Sequence, residues 1–111
     1  MIDWYTIEYL YNESFNRFTN IMFPNMGVMC TSSLKNYDMK KLYRFFDKEG
    51  IYLNVELYGK YHWVYNISLH NGTTLGSPQI TRHSREEIEV DGFIECFKLL
   101  DKKIREYGHV I

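Results

Sequence analysis

The sequence has few cysteines, few prolines, no long apolar run and almost no net charge. Its two cysteines, Cys30 and Cys96, lie far apart in a chain without a secretory signal pattern. We therefore predict free thiols and a reducing, cytoplasmic compartment. No stretch approaches the roughly 18 apolar residues that a membrane-spanning helix requires, so we predict no membrane association. The formal net charge of -1 provides no overall field that would attract nucleic acid.

Motifs for metal, nucleotide and nucleophile chemistry are also lacking. The histidines and cysteines form no pair at the spacing of metal ligands, and no glycine-rich phosphate loop or serine elbow occurs. Cys96 lies among Phe93, Phe97 and Leu100, which predicts a packed and unreactive thiol. We therefore predict that the protein is not an enzyme and uses no cofactor and no metal.

Aromatic side chains are what the sequence has in excess. Ten tyrosines, seven phenylalanines and two tryptophans make up 17% of its 111 residues. Large rings bury much area per residue, so a short chain can form a core without disulfides or metal. The length fits a single domain that spans residues 1–111.

Apolar spacing predicts two helices in the first half of the chain. Asp3 is the predicted N-cap of an amphipathic helix of about 19 residues, Trp4–Met22, which a segment with proline and glycine then ends. A second helix is predicted to start near Ser33 or Asn36. Gly50 is predicted to end it, because glycine accepts the left-handed conformation that follows many helices.

A long helix is predicted at the C-terminal end of the chain. Ser84 and Glu87 match the capping box, in which a serine and a glutamate three residues later satisfy exposed backbone donors. Asp101 and Arg105 form a pair at the i,i+4 spacing. Gly92 is unfavourable inside a helix unless it permits close packing, which is the role that we predict for it.

Two alternating segments, Ile51–Tyr58 and Tyr61–Leu69, predict an antiparallel hairpin. A two-residue loop would place their apolar sets on opposite faces, so we favour a three-residue loop or a bulge over helices on both faces. Asn71 and Gly72 fit a second turn, leading to a short third strand before Pro78. The predicted fold is α+β: an N-terminal helix, a second helix, a two- or three-stranded antiparallel sheet, and the long C-terminal helix packed on the sheet.

Two tyrosines of the first helix are predicted to face outward. At roughly 100° per residue, Tyr5 and Tyr9 lie off the apolar stripe, on a sector that they share with Asn12 and Asn16. Exposed tyrosines beside amides are typical of protein interfaces. The main hypothesis is therefore a non-catalytic protein-binding domain with a protein partner. The alternative is that the helix packs between two layers and buries both faces.

Tyrosines on the first strand provide a second candidate patch. Tyr52 and Tyr58 alternate with the apolar residues, so they are predicted to lie with Glu56 on the outer face of the sheet. Self-association into a homo-oligomer through an open sheet edge is another way in which the chain could cover its surplus rings.

The start of the C-terminal helix supports a different hypothesis, a phosphate or nucleic-acid binding module. Arg82, His83, Ser84 and Arg85 lie where backbone donors and the helix dipole favour an anion. Four acidic residues follow within seven positions, and they already complement that dipole while repelling phosphate. Nucleic acid is therefore the less favoured partner.

The second half of the chain resembles a class of known proteins. From Gly50 onward, the sequence predicts a strand hairpin and then a turn-rich loop. The segment Thr81–Glu87 follows and opens a helix that carries Phe93 and Phe97. This arrangement resembles small accessory proteins of phages and mobile elements, and the Asn, Lys, Tyr and Ile usage is similar to that of AT-rich phage genomes. The resemblance implies a small protein that acts by binding, such as an inhibitor of a host defence enzyme of the CRISPR effector type.

Overall fold

The fold is α+β, with a long C-terminal helix packed on an antiparallel sheet, as the sequence predicts. The computed structural model describes residues 2–24, 34, 37–59, 62–76 and 84–107. In these residues the elements are, in chain order, α1 (Trp4–Leu10), α2 (Asn12–Met22), α3 (Met39–Lys48), β1 (Ile51–Tyr58), β2 (His62–Leu69), β3 (Thr74–Gly76) and α4 (Arg85–Tyr107).

The prediction of one continuous helix from Trp4 to Met22 is wrong. The helix begins as expected, because the Asp3 carboxylate accepts hydrogen bonds from the Thr6 backbone N–H at 3.3 Å and from the Thr6 hydroxyl at 2.7 Å. It breaks at Tyr11, whose backbone leaves the helical region with φ -128° and ψ 52°. The first part of the chain therefore forms two helices, α1 and α2.

A carboxylate from the far end of the chain explains this break. In a continuous helix the Ser14 N–H would donate to the carbonyl four residues earlier. Here it donates to Asp101 Oδ1 on α4, at 3.0 Å. Asp101 is only 4% exposed, and its other oxygen accepts from Arg105 Nε at 2.6 Å. The predicted Asp101–Arg105 pair is confirmed, and Asp101 also serves as the N-terminal cap of α2, where Tyr11 provides no side-chain cap.

The second helix begins later than predicted. Asp38 is its N-cap, and its carboxylate accepts from the Lys40 N–H at 2.9 Å. Ser33 and Asn36, the two predicted starts, lie outside the described residues. The predicted end is confirmed, since Gly50 follows α3 with a φ of 76°.

The register of the sheet confirms the prediction of a three-residue loop. Tyr58 pairs with His62, so three residues separate the paired ends of β1 and β2, and Leu53 pairs with Ile67 on the covered face. Tyr61, the predicted first residue of β2, lies outside the described residues. The predicted third strand is present as β3, which pairs antiparallel with β2 and gives the strand order β1-β2-β3.

Helix α4 covers one face of this sheet and packs against an aromatic core. A Cβ on Gly92 would lie 2.6 Å from Leu53 Cδ1, so the glycine permits the close packing of α4 on β1 that the sequence predicts. Phe18 lies at the centre of the core and stacks on Trp4 with 5.3 Å between ring centroids. Other rings meet Phe18 edge-on, at centroid distances from 5.2 to 6.1 Å: Phe23, Tyr37, Phe45 and Phe97.

The two glycines that flank β1 provide a test of this local geometry. Gly50 and Gly59 both have positive φ, but a Cβ on Gly50 would lie 3.0 Å from His70 Cβ, whereas one on Gly59 would meet nothing within 4 Å. We expect Gly59→Ala to cost about 1 kcal/mol of unfolding free energy, and Gly50→Ala to cost about 2 kcal/mol or more. Urea unfolding measures both, and equal losses would contradict the proposed clash with His70.

The role of Asp101 as a cap is tested by two substitutions at that position. Asp101→Ala leaves the buried Ser14 N–H without an acceptor, so we expect a loss of about 3 kcal/mol in unfolding free energy. Asp101→Asn keeps an acceptor for Ser14 and loses mainly the ion pair with the half-exposed Arg105, so we expect a loss of about 1 kcal/mol. Arg105→Ala is the control, with a similarly small expected loss. If the asparagine variant is as unstable as the alanine variant, the cap is not what stabilises α2.

Candidate functional site

The exposed face of α1 carries two large rings. Tyr5 is 67% exposed and Tyr9 is 86% exposed, and Leu10 beside Tyr9 is 50% exposed. Trp4 and Ile7 on the opposite face are buried in the core. The outward orientation of Tyr5 and Tyr9 is therefore confirmed, and the alternative that the helix buries both faces is wrong.

Asn12 and Asn16 do not lie on the same helix as Tyr5 and Tyr9, although the sequence predicts one shared helix sector for all four. Both are exposed, but they belong to α2, and the break at Tyr11 separates them from the helix that carries Tyr5 and Tyr9. The shared sector was derived from one continuous helix, so it no longer follows from the geometry. The amide oxygen of Asn12 also accepts a hydrogen bond from Arg105 Nη2 at 2.7 Å.

The outer face of the sheet is open, as predicted. Tyr52 and Tyr58 on β1 are 42% and 70% exposed, and they lie on the same side as Glu56. The Glu56 carboxylate accepts from Asn66 Nδ2 on β2 at 2.7 Å. Tyr52 and Tyr58 lie six residues apart, about 20 Å along an extended strand, so they form two separate exposed rings rather than one patch.

At the start of α4, the described side chains already make contacts within the chain. The Ser84 hydroxyl accepts from the Glu87 N–H at 3.2 Å, which confirms the serine half of the predicted capping box. The same hydroxyl donates to the Glu87 carboxylate at 3.3 Å. The Arg85 guanidinium lies over the Trp63 ring, 5.5 Å from its centroid. Arg82 and His83, the other half of the predicted anion site, lie outside the described residues.

Two groups that could carry acid–base or nucleophilic chemistry, the Cys96 thiol and the Tyr43 hydroxyl, lie in or against the core. Burial raises the pKa of the Cys96 thiol, with a smaller contribution from the charge of Glu95. Burial also raises the pKa of Tyr43, whose hydroxyl donates to Glu89 Oε2 at 2.8 Å. Both groups are therefore neutral near pH 7. Within the part of the chain that the structure describes, no three His, Cys, Asp or Glu side chains come together as metal ligands would.

A groove with a basic rim, which no sequence pattern indicates, lies between the end of α2 and α3. Its volume is about 390 Å³. Lys41, Arg44 and Lys48 line it at the i, i+3, i+7 spacing of one helix face. Apolar and aromatic side chains also line it, and these are Ile21, Met22, Phe23, Tyr37 and Phe45. The sequence shows that the three basic residues share one helix face. The opposite wall of the groove comes from the end of α2, and residue spacing alone cannot predict that α2 lies beside α3.

A larger cleft, of about 470 Å³, lies between α4 and the end of the sheet where β1 begins and β2 ends. Its two lysines both have contacts within the chain. Lys103 Nζ donates to the Glu49 carbonyl oxygen at 3.1 Å, and Lys102 lies 4.0 Å from the Glu106 carboxylate. In the groove, by contrast, Lys41, Arg44 and Lys48 form no ion pair among the described residues, although Lys41 Nζ lies over the Tyr37 ring, 5.9 Å from its centroid. The Glu49 carboxylate at the edge of the groove already pairs with Arg17 at 2.7 Å.

Comparison with known proteins adds no assignment to these surfaces. No protein-family model matches the chain, and no match to it was found among curated proteins or among solved structures. In the described residues, no helix has the length and apolar character needed to cross a membrane. The fold and the surface thus define a small, aromatic-rich α+β domain that presents exposed rings on α1.

Thiol labelling tests the assignment of Cys96 to the core. In a Cys30→Ser variant, Cys96 is the only thiol, and burial both raises its pKa and excludes reagent. We expect no reaction with a disulfide reagent at pH 8 in the folded protein, and one reactive thiol per chain after unfolding in guanidinium. Rapid labelling of the folded variant would contradict the packed position and reopen a catalytic role for this residue.

Proposed function

We propose that the protein is a non-catalytic protein-binding domain whose contact face is the exposed side of α1. The observation that supports this most directly is the pair of tyrosine rings one helical turn apart, 67% and 86% exposed, with the half-exposed Leu10 beside them. Single exposed apolar residues are ordinary, but clustered ones mark contact surfaces. Tyrosine is also enriched among the residues that dominate binding energy.

The helix that carries these rings is held rigidly by its other face. Trp4 stacks on Phe18 and meets Phe97 edge-on at 5.6 Å, and Ile7 is fully buried. A partner would therefore meet Tyr5 and Tyr9 on a preorganised backbone, and only their side-chain rotation would be lost on binding. This favours the use of α1 as an anchor.

The charge around these rings indicates the chemistry of the partner. Helix α1 and its N-cap contain Asp3 and Glu8 and no lysine or arginine. The complement of such a face is an apolar groove with a basic rim, entered by residues at the i and i+4 positions of a helix. The resemblance to accessory proteins of phages would make this partner a host enzyme such as a CRISPR effector, and that part of the proposal rests on the resemblance alone.

The alternative of a phosphate or nucleic-acid binding module has less support. Ser84 is engaged in the helix cap, Arg85 lies against Trp63, and exposed Glu86 and Glu87 follow directly. An anion at this position would meet these carboxylates at the same helix end.

The contact face is tested by capture with the wild-type protein and with the variant Tyr5→Ala, Tyr9→Ala. Because both rings are exposed, we expect unchanged unfolding free energy and a loss of at least about tenfold in affinity for the captured protein. Quantitative mass spectrometry of crosslinked complexes from host extract gives the first comparison, and titration with the purified partner gives the affinity.

Tyr107→Ala is the matched control, since Tyr107 is also a largely exposed ring, at 64%, and lines the cleft beside Gly50 and His70. It should retain full affinity. If the double variant captures the same proteins as the wild type, α1 is not the contact face. Retention on heparin that falls steeply with salt would instead favour the nucleic-acid alternative.

A further inference from the structure

We propose that the acidic, aromatic face of α1 docks into the basic groove between α2 and α3 of a second copy of this chain. The inference deepens the proposed function and rests on it, because it uses the same face of α1 and names one of its partners. It starts from the observation that a surface and its complement occur on one chain.

The charges of the two surfaces are complementary. The α1 face carries the exposed Glu8, with the capping carboxylate of Asp3 at the start of the helix, and α1 itself contains no lysine or arginine. The groove carries three basic side chains, all exposed and without an ion pair among the described residues: Lys41, Arg44 and Lys48. Bringing the two surfaces together would compensate charges that each copy leaves unpaired.

The apolar parts also fit each other. The groove has a volume of about 390 Å³, within the range of about 300–1,000 Å³ in which proteins usually bind ligands. Its walls offer Phe23, Phe45 and the half-exposed Ile21 to an incoming ring. Tyr5 and Tyr9 would bury ring faces that are now exposed, which is the main favourable term in association.

The position of the groove relative to α1 argues against its being filled within one copy. Tyr37 lines the groove, and its ring meets Trp4 of α1 edge-on at 6.3 Å. Trp4 and Ile7 fix α1 by its buried side, so Tyr5 and Tyr9 point away from the core against which Tyr37 packs. Only a second molecule can bring these two rings into the groove without unpacking α1.

Sedimentation velocity of the full chain over a range of concentrations tests the proposal. We expect the mass of the wild type to rise with concentration, because the contact is small and therefore weak. Two variants should each stay monomeric: Tyr5→Ala with Tyr9→Ala, which lacks the rings, and Lys41→Glu with Arg44→Glu, which reverses the rim. We expect at least about a tenfold weakening of association for each.

A mixture of the two variants gives the decisive result. Each retains one intact surface, so an equimolar mixture should form a 1:1 heterodimer although neither variant associates alone. Lys98→Glu, on the exposed surface of α4, and Tyr107→Ala are controls that should associate like the wild type. A monomeric wild type at the highest concentration, or a mixture that stays monomeric, would overturn the proposal.

The test also separates this inference from the proposed function. If the mixture stays monomeric while Tyr5→Ala with Tyr9→Ala still loses a captured host protein, self-association is wrong and the contact face stands. If the mixture forms the heterodimer and capture is unaffected by the same variant, α1 serves self-association only.

Discussion

The arrangement of the first helices depends on one buried carboxylate. Asp101 accepts the Ser14 N–H and the Arg105 guanidinium, so it is satisfied on both oxygens although it is almost inaccessible to water. By holding the Ser14 N–H, it ends α1 and starts α2, and it fixes both to the last turns of α4. The contact thereby separates the helix that carries Tyr5 and Tyr9 from the helix that carries Asn12 and Asn16.

The aromatic residues divide between core and surface according to their polar groups. The described phenylalanines lie buried or half-buried around Phe18 and Phe97, while the rings with large exposed fractions are all tyrosines. Burying a tyrosine hydroxyl is unfavourable unless it has a partner, as Tyr43 has in Glu89. The buried hydroxyl of Tyr37 has no hydrogen-bond partner among the described residues, and burial raises the pKa of both Tyr37 and Tyr65. The excess of tyrosine in the composition therefore corresponds mainly to surface, and the phenylalanines supply the core.

Local rules predicted the parts of the fold that depend on neighbouring residues. The parity of the apolar positions in β1 and β2 required an odd loop, and the register has one. The caps at Asp3 and Ser84 were likewise readable, because each bonds within its own turn. The break at Tyr11 could not be predicted from local rules, because its cause is Asp101, which lies 87 positions after the Ser14 whose N–H it accepts. The helical pattern itself carries no mark of the break.

The same distinction separates the parts of the candidate site. The outward direction of Tyr5 and Tyr9 follows from helical geometry within seven residues, whereas their grouping with Asn12 and Asn16 assumed a helix that continues past Tyr11. The groove needed two helices to be placed side by side, so no spacing in the sequence could reveal it. The net charge of -1 gives no sign of the groove either, because the acidic residues at the start of the chain and the basic residues on α3 cancel in the sum. A nearly neutral composition excludes a strong overall field but is compatible with two local fields of opposite sign. Such a pair orients copies of one chain toward each other, while burial of apolar rings supplies most of the affinity.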